Sequence, residues 1–221
     1  MDFRYDILIK QIPEILPFIK ETIFIAIFSM IISLILSILI SIIREYKIIV
    51  LSQICDLYVS FFRSTPLISQ LFLFFFGISQ MIPFLRTIRP TTALIIVMGM
   101  NESAFMAETI RGAMSSVDKG QREAALSIGM TELQSMRRIV LPQAIRVALP
   151  GIANSFVGLI KGSSLGFTIG VIEIMGQAKL VAANSYRMSE SYVAVLIIYW
   201  ILISLLNRGQ SIIEKRLNKG Y

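Results

Sequence analysis

Thr22 to Ile43 contains no charged side chain, and a run of that length can cross a hydrocarbon core about 30 Å thick. Lipid offers no partner for backbone N–H and C=O groups, so such a run must satisfy them internally as an α-helix. Arg44, Glu45 and Lys47 close the run. Further spans are expected near Ser60 to Phe76, Thr91 to Ala113, Leu149 to Val171 and Tyr192 to Leu206, with Ile48 to Phe62 as an interfacial or partly inserted helix ahead of the second. The expected fold is an all-α integral membrane bundle with about five crossings. Hydrophobic residues make up 55% of the chain, above the ~45–50% of soluble domains, and 221 residues suit one bundle with little room for a separate soluble domain. Histidine is absent and Cys55 stands alone, so the chain can form no internal disulfide, and a Cys/His metal site is not expected.

Residues 1–21 mix Asp2, Arg4, Asp6, Lys10 and Glu14 with Pro13 and Pro17. That pattern is unlike a cleavable signal and reads as an amphipathic lead-in at the membrane surface. Residues 22–212 are expected to form the membrane domain and residues 213–221 a cytosolic tail. Five crossings put the termini on opposite sides. With the carboxyl terminus inside, twelve Lys and Arg fall in inner segments and seven in outer ones, so the positive-inside rule favours an external amino terminus. The net charge of +7 then matches anionic inner-leaflet lipid and calls for no nucleic acid.

The segment 118–142, DKGQREAALSIGMTELQSMRRIVLP, is a polar insert between spans. Asp118 can cap a first helix, with Gln121 at the reciprocal position and Glu123 in the first turn. Gly129 suits a left-handed stop, and Thr131 with Gln134 repeats the capping-box spacing for a second helix that is expected to end near Pro142. The result is two short helices around a glycine bend. Ala124 and Ala125 permit close approach of a partner backbone, so a docking surface is favoured over a solvated loop.

Glu123-Ala124-Ala125, then Gly129, then Ile139 with Leu141-Pro142 resembles the EAA signature of permease subunits in ATP-binding-cassette (ABC) importers. Three further blocks, Phe61 to Gly77, Ala107 to Ala125 and Leu141 to Phe156, are similar to the polar amino-acid branch of that family and occur in the same order. The resemblance implies a type I importer transmembrane domain in the bacterial cytoplasmic membrane. In it, Glu123, Ala124, Ala125 and Gly129 would couple the chain to ABC ATPase subunits through a cytosolic coupling-helix loop. It also implies an extracytoplasmic solute-binding protein and a homodimeric or homologous permease partner. No cofactor is expected on this chain: ATP and Mg belong to the partner ATPase, since no GxxxxGK[ST] phosphate loop is present.

Polar residues inside the expected spans mark candidates for a translocation path. A charge at mid-depth costs about 2.5–3.5 kcal/mol on insertion scales, so Glu102, Glu108 and Lys161 should face protein or water. Asn101, Ala104, Glu108 and Gly112 fall near one helical stripe, as do Asn154, Gly158 and Lys161. Glu108 with Arg111 can equally form an interfacial pair, and Glu102 either a cavity group or an internal hydrogen bond. Arg63, Ser64, Thr65 and Pro66 open the second span, with Gln70 following. Lys161, Gly162, Ser163 and Ser164 could break the fourth and free backbone groups for a substrate. These segments could instead be packing devices, and the resemblance tips them towards the pathway. Related chains often read Lys-Asp-Thr-Ser-Leu where this one has Lys161-Gly162-Ser163-Ser164-Leu165, which argues against a cationic substrate. Residues 162–175 and 182–192 look more like the L-cystine subgroup.

The reading that follows is a transport subunit, not an enzyme, carrying a polar amino acid such as L-cystine. Two other classes stay open at this point: an ion-gradient-driven secondary transporter using Glu102 or Glu108, and a noncatalytic membrane scaffold. An intramembrane hydrolase has neither a histidine for a Ser/His pair nor a metal-ligand cluster.

Overall fold

In a computed structural model describing residues 3–218, every regular element is a helix. In chain order these are α1 (Tyr5–Ile15), α2 (Ile19–Glu45), α3 (Ile49–Ser64), α4 (Leu67–Met81), α5 (Pro90–Ser115), α6 (Lys119–Ser127), α7 (Glu132–Ile169), α8 (Ile174–Ser185) and α9 (Met188–Asn218). Four rods are long and apolar enough to cross a membrane, and the bent pair α3–α4 makes a fifth candidate.

Helix α2 packs most extensively on α5. Its buried side carries a ladder of small residues, Thr22, Ala26, Ser29, Ser33 and Ser37, with Ile25 and Ile40 beside it. Between helices in lipid the hydrophobic effect supplies no drive, so close approach of backbones and interhelical hydrogen bonds must hold the pair. Both are present. The Ser29 hydroxyl donates to the Ile95 carbonyl at 3.2 Å, and a Cβ built on Gly99 would lie 2.7 Å from the Ile32 side chain. The main apolar core joins α2, α4, α5 and α7 around Ile25, Leu71, Leu94, Met98 and Ile160. A second cluster joins α1, α8 and α9 around Ile15, Ile174, Ala178 and Ala194. The lead-in thus buries Leu8, Gln11 and Ile15 against α8 and α9. Its Asp2 lies outside the described residues, as do residues 219–221 of the tail, whose residues 213–218 continue α9.

The structure departs from the sequence reading in four places. The second span is not a straight Ser60 to Phe76 helix: Pro66 forces Thr65 into extended backbone (φ −114°, ψ 145°) and the chain turns through 109°. The insert's second helix does not stop at Pro142. A π-turn over Met136–Val140 widens the ladder just ahead of the proline, which then sits in the first turn of a new α-helical stretch. The rod runs on without a break from Glu132 to Ile169. Residues 161–164 do not unwind that rod. They tighten it into a 3₁₀ turn over Ser163–Ile169, and the left-handed stop falls at Gly170 (φ +88°). The last helix begins at Met188 and its apolar part reaches Ile212, beyond both ends of Tyr192 to Leu206.

Candidate functional site

The insert forms an elbow. Asp118 caps α6 by accepting from the Gly120 N–H at 2.6 Å. Gln121 takes no part in that cap, because its side-chain oxygen accepts from Gln143 on α7 at 3.1 Å. At the other end the Gly129 N–H donates to Leu126 O and the Met130 N–H to Ala125 O, with Gly129 at φ +85°. This is a Schellman stop, which only a residue tolerant of left-handed backbone closes without strain. The reciprocal box at Thr131 and Gln134 is complete, at 2.9 and 3.2 Å. Arg122 and Glu132 form an ion pair across the bend at 2.7 Å. Both are exposed, so the pair adds little stability.

Of the coupling candidates, Glu123, Ala124 and Gly129 are exposed while Ala125 is buried within the chain, where α6 meets the π-turn. Leu126, Ile128 and Leu133 also present apolar surface to solvent, Ile128 at 77% exposure. The elbow thus carries paired caps, an exposed acid and exposed branched residues on one short segment.

At the α3–α4 break the structure brings together three pathway candidates. A helix end leaves carbonyls without partners, and here they belong to Phe61, Phe62 and Thr65. The Thr65 hydroxyl donates to Phe61 O at 2.8 Å. The Gln70 amide donates to Phe62 O, Thr65 O and the Thr65 hydroxyl at 2.7–3.2 Å. The Asn101 amide donates to Phe62 O and to the Gln70 oxygen, both at 3.0 Å. Gln70 and Asn101 are buried, so the same polar groups that suggest a path also close the bend.

Beside it, Glu108 accepts from Arg44 at 2.5 Å and from Arg111 at 2.8 Å, with Arg63 at 4.0 Å. Arg44 also holds Asp56 at 2.9 Å. The expected Glu108–Arg111 pair is therefore part of a larger hub tying α2, α3 and α5. Arg63 lies 5.7 Å from the centre of the Phe105 ring and lines a cavity with Phe105 and Glu108. The expected stripe splits: Asn101 and Ala104 are buried, Glu108 is half-buried and Gly112 exposed.

On α7, Asn154 and Lys161 are exposed, and the space around Gly158 between them is open. Glu102 reaches across from α5 to Ser155. Ser163 is fully buried, its hydroxyl donating to Ile160 O at 2.8 Å, and the Ser164 hydroxyl donates to Lys161 O at 2.7 Å. The structure thus separates Ser163 from the open face that carries Lys161.

Glu173 escaped the sequence reading. It is fully buried and caps α8 by accepting from the Gly176 N–H at 2.9 Å, from Tyr199 at 2.9 Å and from Thr22 at 3.3 Å. One carboxyl group joins α2, α8 and α9, and its burial pushes its pKa above the ordinary value against the pull of these hydrogen bonds. An acid three residues ahead of a glycine at a helix start was the available signal. Among the described residues no group of three or more His, Cys, Asp or Glu could hold a metal ion.

Residues 41–219 match the family of binding-protein-dependent transport system inner membrane components. The chain is 44% identical over 221 residues to the probable amino-acid ABC transporter permease protein PatM of Vibrio harveyi, covering 100% of this chain and 99% of PatM. It is 37% identical over 181 residues to the L-cystine transport system permease protein TcyL of Bacillus subtilis (strain 168), covering 80% and 76% of the two chains. A crystal structure of an amino acid ABC transporter with histidines superposes with a TM-score of 0.91 at 30% identity, over 98% of this chain and 100% of that one.

Proposed function

Because the chain belongs to the binding-protein-dependent transport system inner membrane components, as a permease subunit of amino-acid ABC importers, we propose that it moves a polar amino acid, L-cystine foremost, and takes its drive from a separate ATPase through the elbow. The observation that carries this reading is the elbow itself: two capped helices joined at the left-handed Gly129 and bridged by Arg122–Glu132, exposing Glu123, Ala124 and Ile128. A solvated connector needs no such rigidity.

In this mechanism an extracytoplasmic binding protein delivers the amino acid at the outer face of a bundle paired with itself or a homologous permease. Two ATPase subunits, holding ATP and Mg, grip the elbow on the cytosolic side. Their closure displaces the elbow, and the bundles rock between outward and inward access. The open face of Asn154 and Lys161 and the Arg63–Phe105 and Glu102–Ser155 contacts offer the polar groups for the path. Cystine is supported by the TcyL likeness and by Gly162 standing where an acidic side chain would favour a cation.

Vesicles containing the permease, its ATPase and its binding protein test this directly. Labelled cystine should accumulate only with ATP inside, outcompeted by unlabelled cystine and not by arginine or histidine. Accumulation that persists without the ATPase and collapses with the ion gradient would replace this reading with a secondary transporter.

A further inference from the structure

The underside of the elbow, the end of α2, the start of α3 and the end of α5 enclose a cavity of about 760 Å³. Five cations line it, Arg44, Lys47, Arg111, Lys119 and Arg122, against the acids Glu45, Asp56 and Asp118. Most of these charges are engaged: Arg44 with Asp56 and Glu108, Arg111 with Glu108, Arg122 with Glu132, and Asp118 with its capped N–H. Two cations, Lys47 and Lys119, and one acid, Glu45, form no ion pair among the described residues, which leaves a net positive charge unengaged. Lys47 is placed at the α2–α3 bend by left-handed backbone, φ +50°.

A second cavity of about 550 Å³ lies between α2 and α7 and is almost wholly apolar, lined by residues such as Leu34, Ile38, Leu141, Ile145 and Ile152. The two cavities share Ser41, Glu45, Met114 and Met136. They therefore adjoin across these side chains, a chamber with an excess of cations beside a greasy groove that runs along two spans. A free phosphate would use only the chamber and an apolar helix only the groove. A phosphate ester with an acyl chain uses both.

We propose that this paired cavity binds an anionic phospholipid, its phosphate facing Lys47 and Lys119 and an acyl chain lying against Ile38 and Ile145. The proposal rests on the cytosolic placement of the elbow given above, which sets the lysines at the inner leaflet, where anionic lipid and basic side chains attract. A lipid seated there would fill the space under the elbow and stiffen it.

The test uses the complete importer in detergent, incubated with palmitoyl-oleoyl phosphatidylglycerol or the matching phosphatidylcholine, with retained lipid counted by native mass spectrometry. Phosphatidylglycerol should be retained in preference to phosphatidylcholine. Each of Lys47→Gln and Lys119→Gln should weaken retention about fivefold, and the Lys→Arg pair should keep it. Ile145→Trp, which fills the groove without touching charge, should weaken it as well, and millimolar inorganic phosphate should not displace the lipid. Equal retention of the two lipids, or unchanged retention in the double Gln variant, overturns the site. Displacement by phosphate with no effect of Ile145→Trp overturns it in favour of a bare anion site. Uptake by the same preparations reads the transport function separately: lost lipid preference with intact ATP-driven uptake overturns only the lipid site. Intact preference without ATP-driven uptake overturns the transport reading and leaves the lipid standing.

Discussion

The Asn101 side-chain amide donates to the Gln70 side-chain oxygen at 3.0 Å, across the break where α3 turns into α4. Neither residue is near the other in sequence, and both spend their hydrogen bonds on carbonyls that Pro66 leaves without helical partners.

Replacing Gln70 with Leu leaves Phe62 O, Thr65 O and the Asn101 amide short of partners in a buried site. A loss of about 1–3 kcal/mol is expected, read as a lower unfolding midpoint in detergent. Asn101→Leu should cost less than additively on top of Gln70→Leu, since the two share one network. Full additivity would mean that the bend does not depend on the pair.

Gly129→Val places a β-branched residue at φ +85°, where an added Cβ meets no neighbour and the backbone penalty alone is of order 1–2 kcal/mol. ATP hydrolysis should continue while uptake falls, and Gly129→Asn should be much milder. Normal coupling in the valine variant would remove the bend from the mechanism.

Gly99→Ala introduces a methyl group 2.7 Å from Ile32 and 3.2 Å from Ser29 O. Forcing α2 and α5 apart should destabilise the bundle by about 1–3 kcal/mol. Thermal inactivation of the assembled importer is the measurement, and an unchanged midpoint would show that the seam tolerates relaxation.

Glu102→Gln keeps the shape of a half-buried group facing Ser155 while removing its charge. Uptake rate or substrate preference should shift with ATPase attachment unchanged. If only attachment changed, Glu102 would belong to the framework and not to the path.

Glu173 carries a raised pKa because burial disfavours its charged form. Its contribution to stability is therefore complete below the unfolded carboxyl value of about 4.3 and lost as pH rises through the higher folded value. Unfolding midpoints of the wild type should fall over that window relative to Glu173→Gln. Parallel pH profiles would show that the carboxyl does not titrate with folding.

The spans and the elbow could be read ahead of the structure because their signals are local. An uncharged run such as Thr22 to Ile43 admits only a helix in lipid, and Gly129 with the Thr131–Gln134 spacing announces a stop and a restart within six residues. What escaped depended on partners far along the chain. Nothing near Glu173 shows that Thr22 and Tyr199 will meet it, and nothing near Glu108 shows that Arg44 will arrive beside Arg111. A proline at the position of Pro142 usually ends a helix, and the π-turn that accommodates it leaves no local mark. Asn101 and Gln70 stand out as polar residues in a span, yet their pairing with a helix end follows only once the 109° turn is known.

The rod from Glu132 to Ile169 spans on the order of 55 Å at helical rise, and where it leaves the elbow a π-turn, not a loop, carries the chain onward. A push at Glu132 cannot be absorbed there as a loop would absorb it. In the proposed coupling, tilt at one extremity would reappear at the other, as in a bell crank, and the Ser163–Ile169 turn with its left-handed terminus at Gly170 would be where a displacement begun nearly a membrane's thickness away comes to rest.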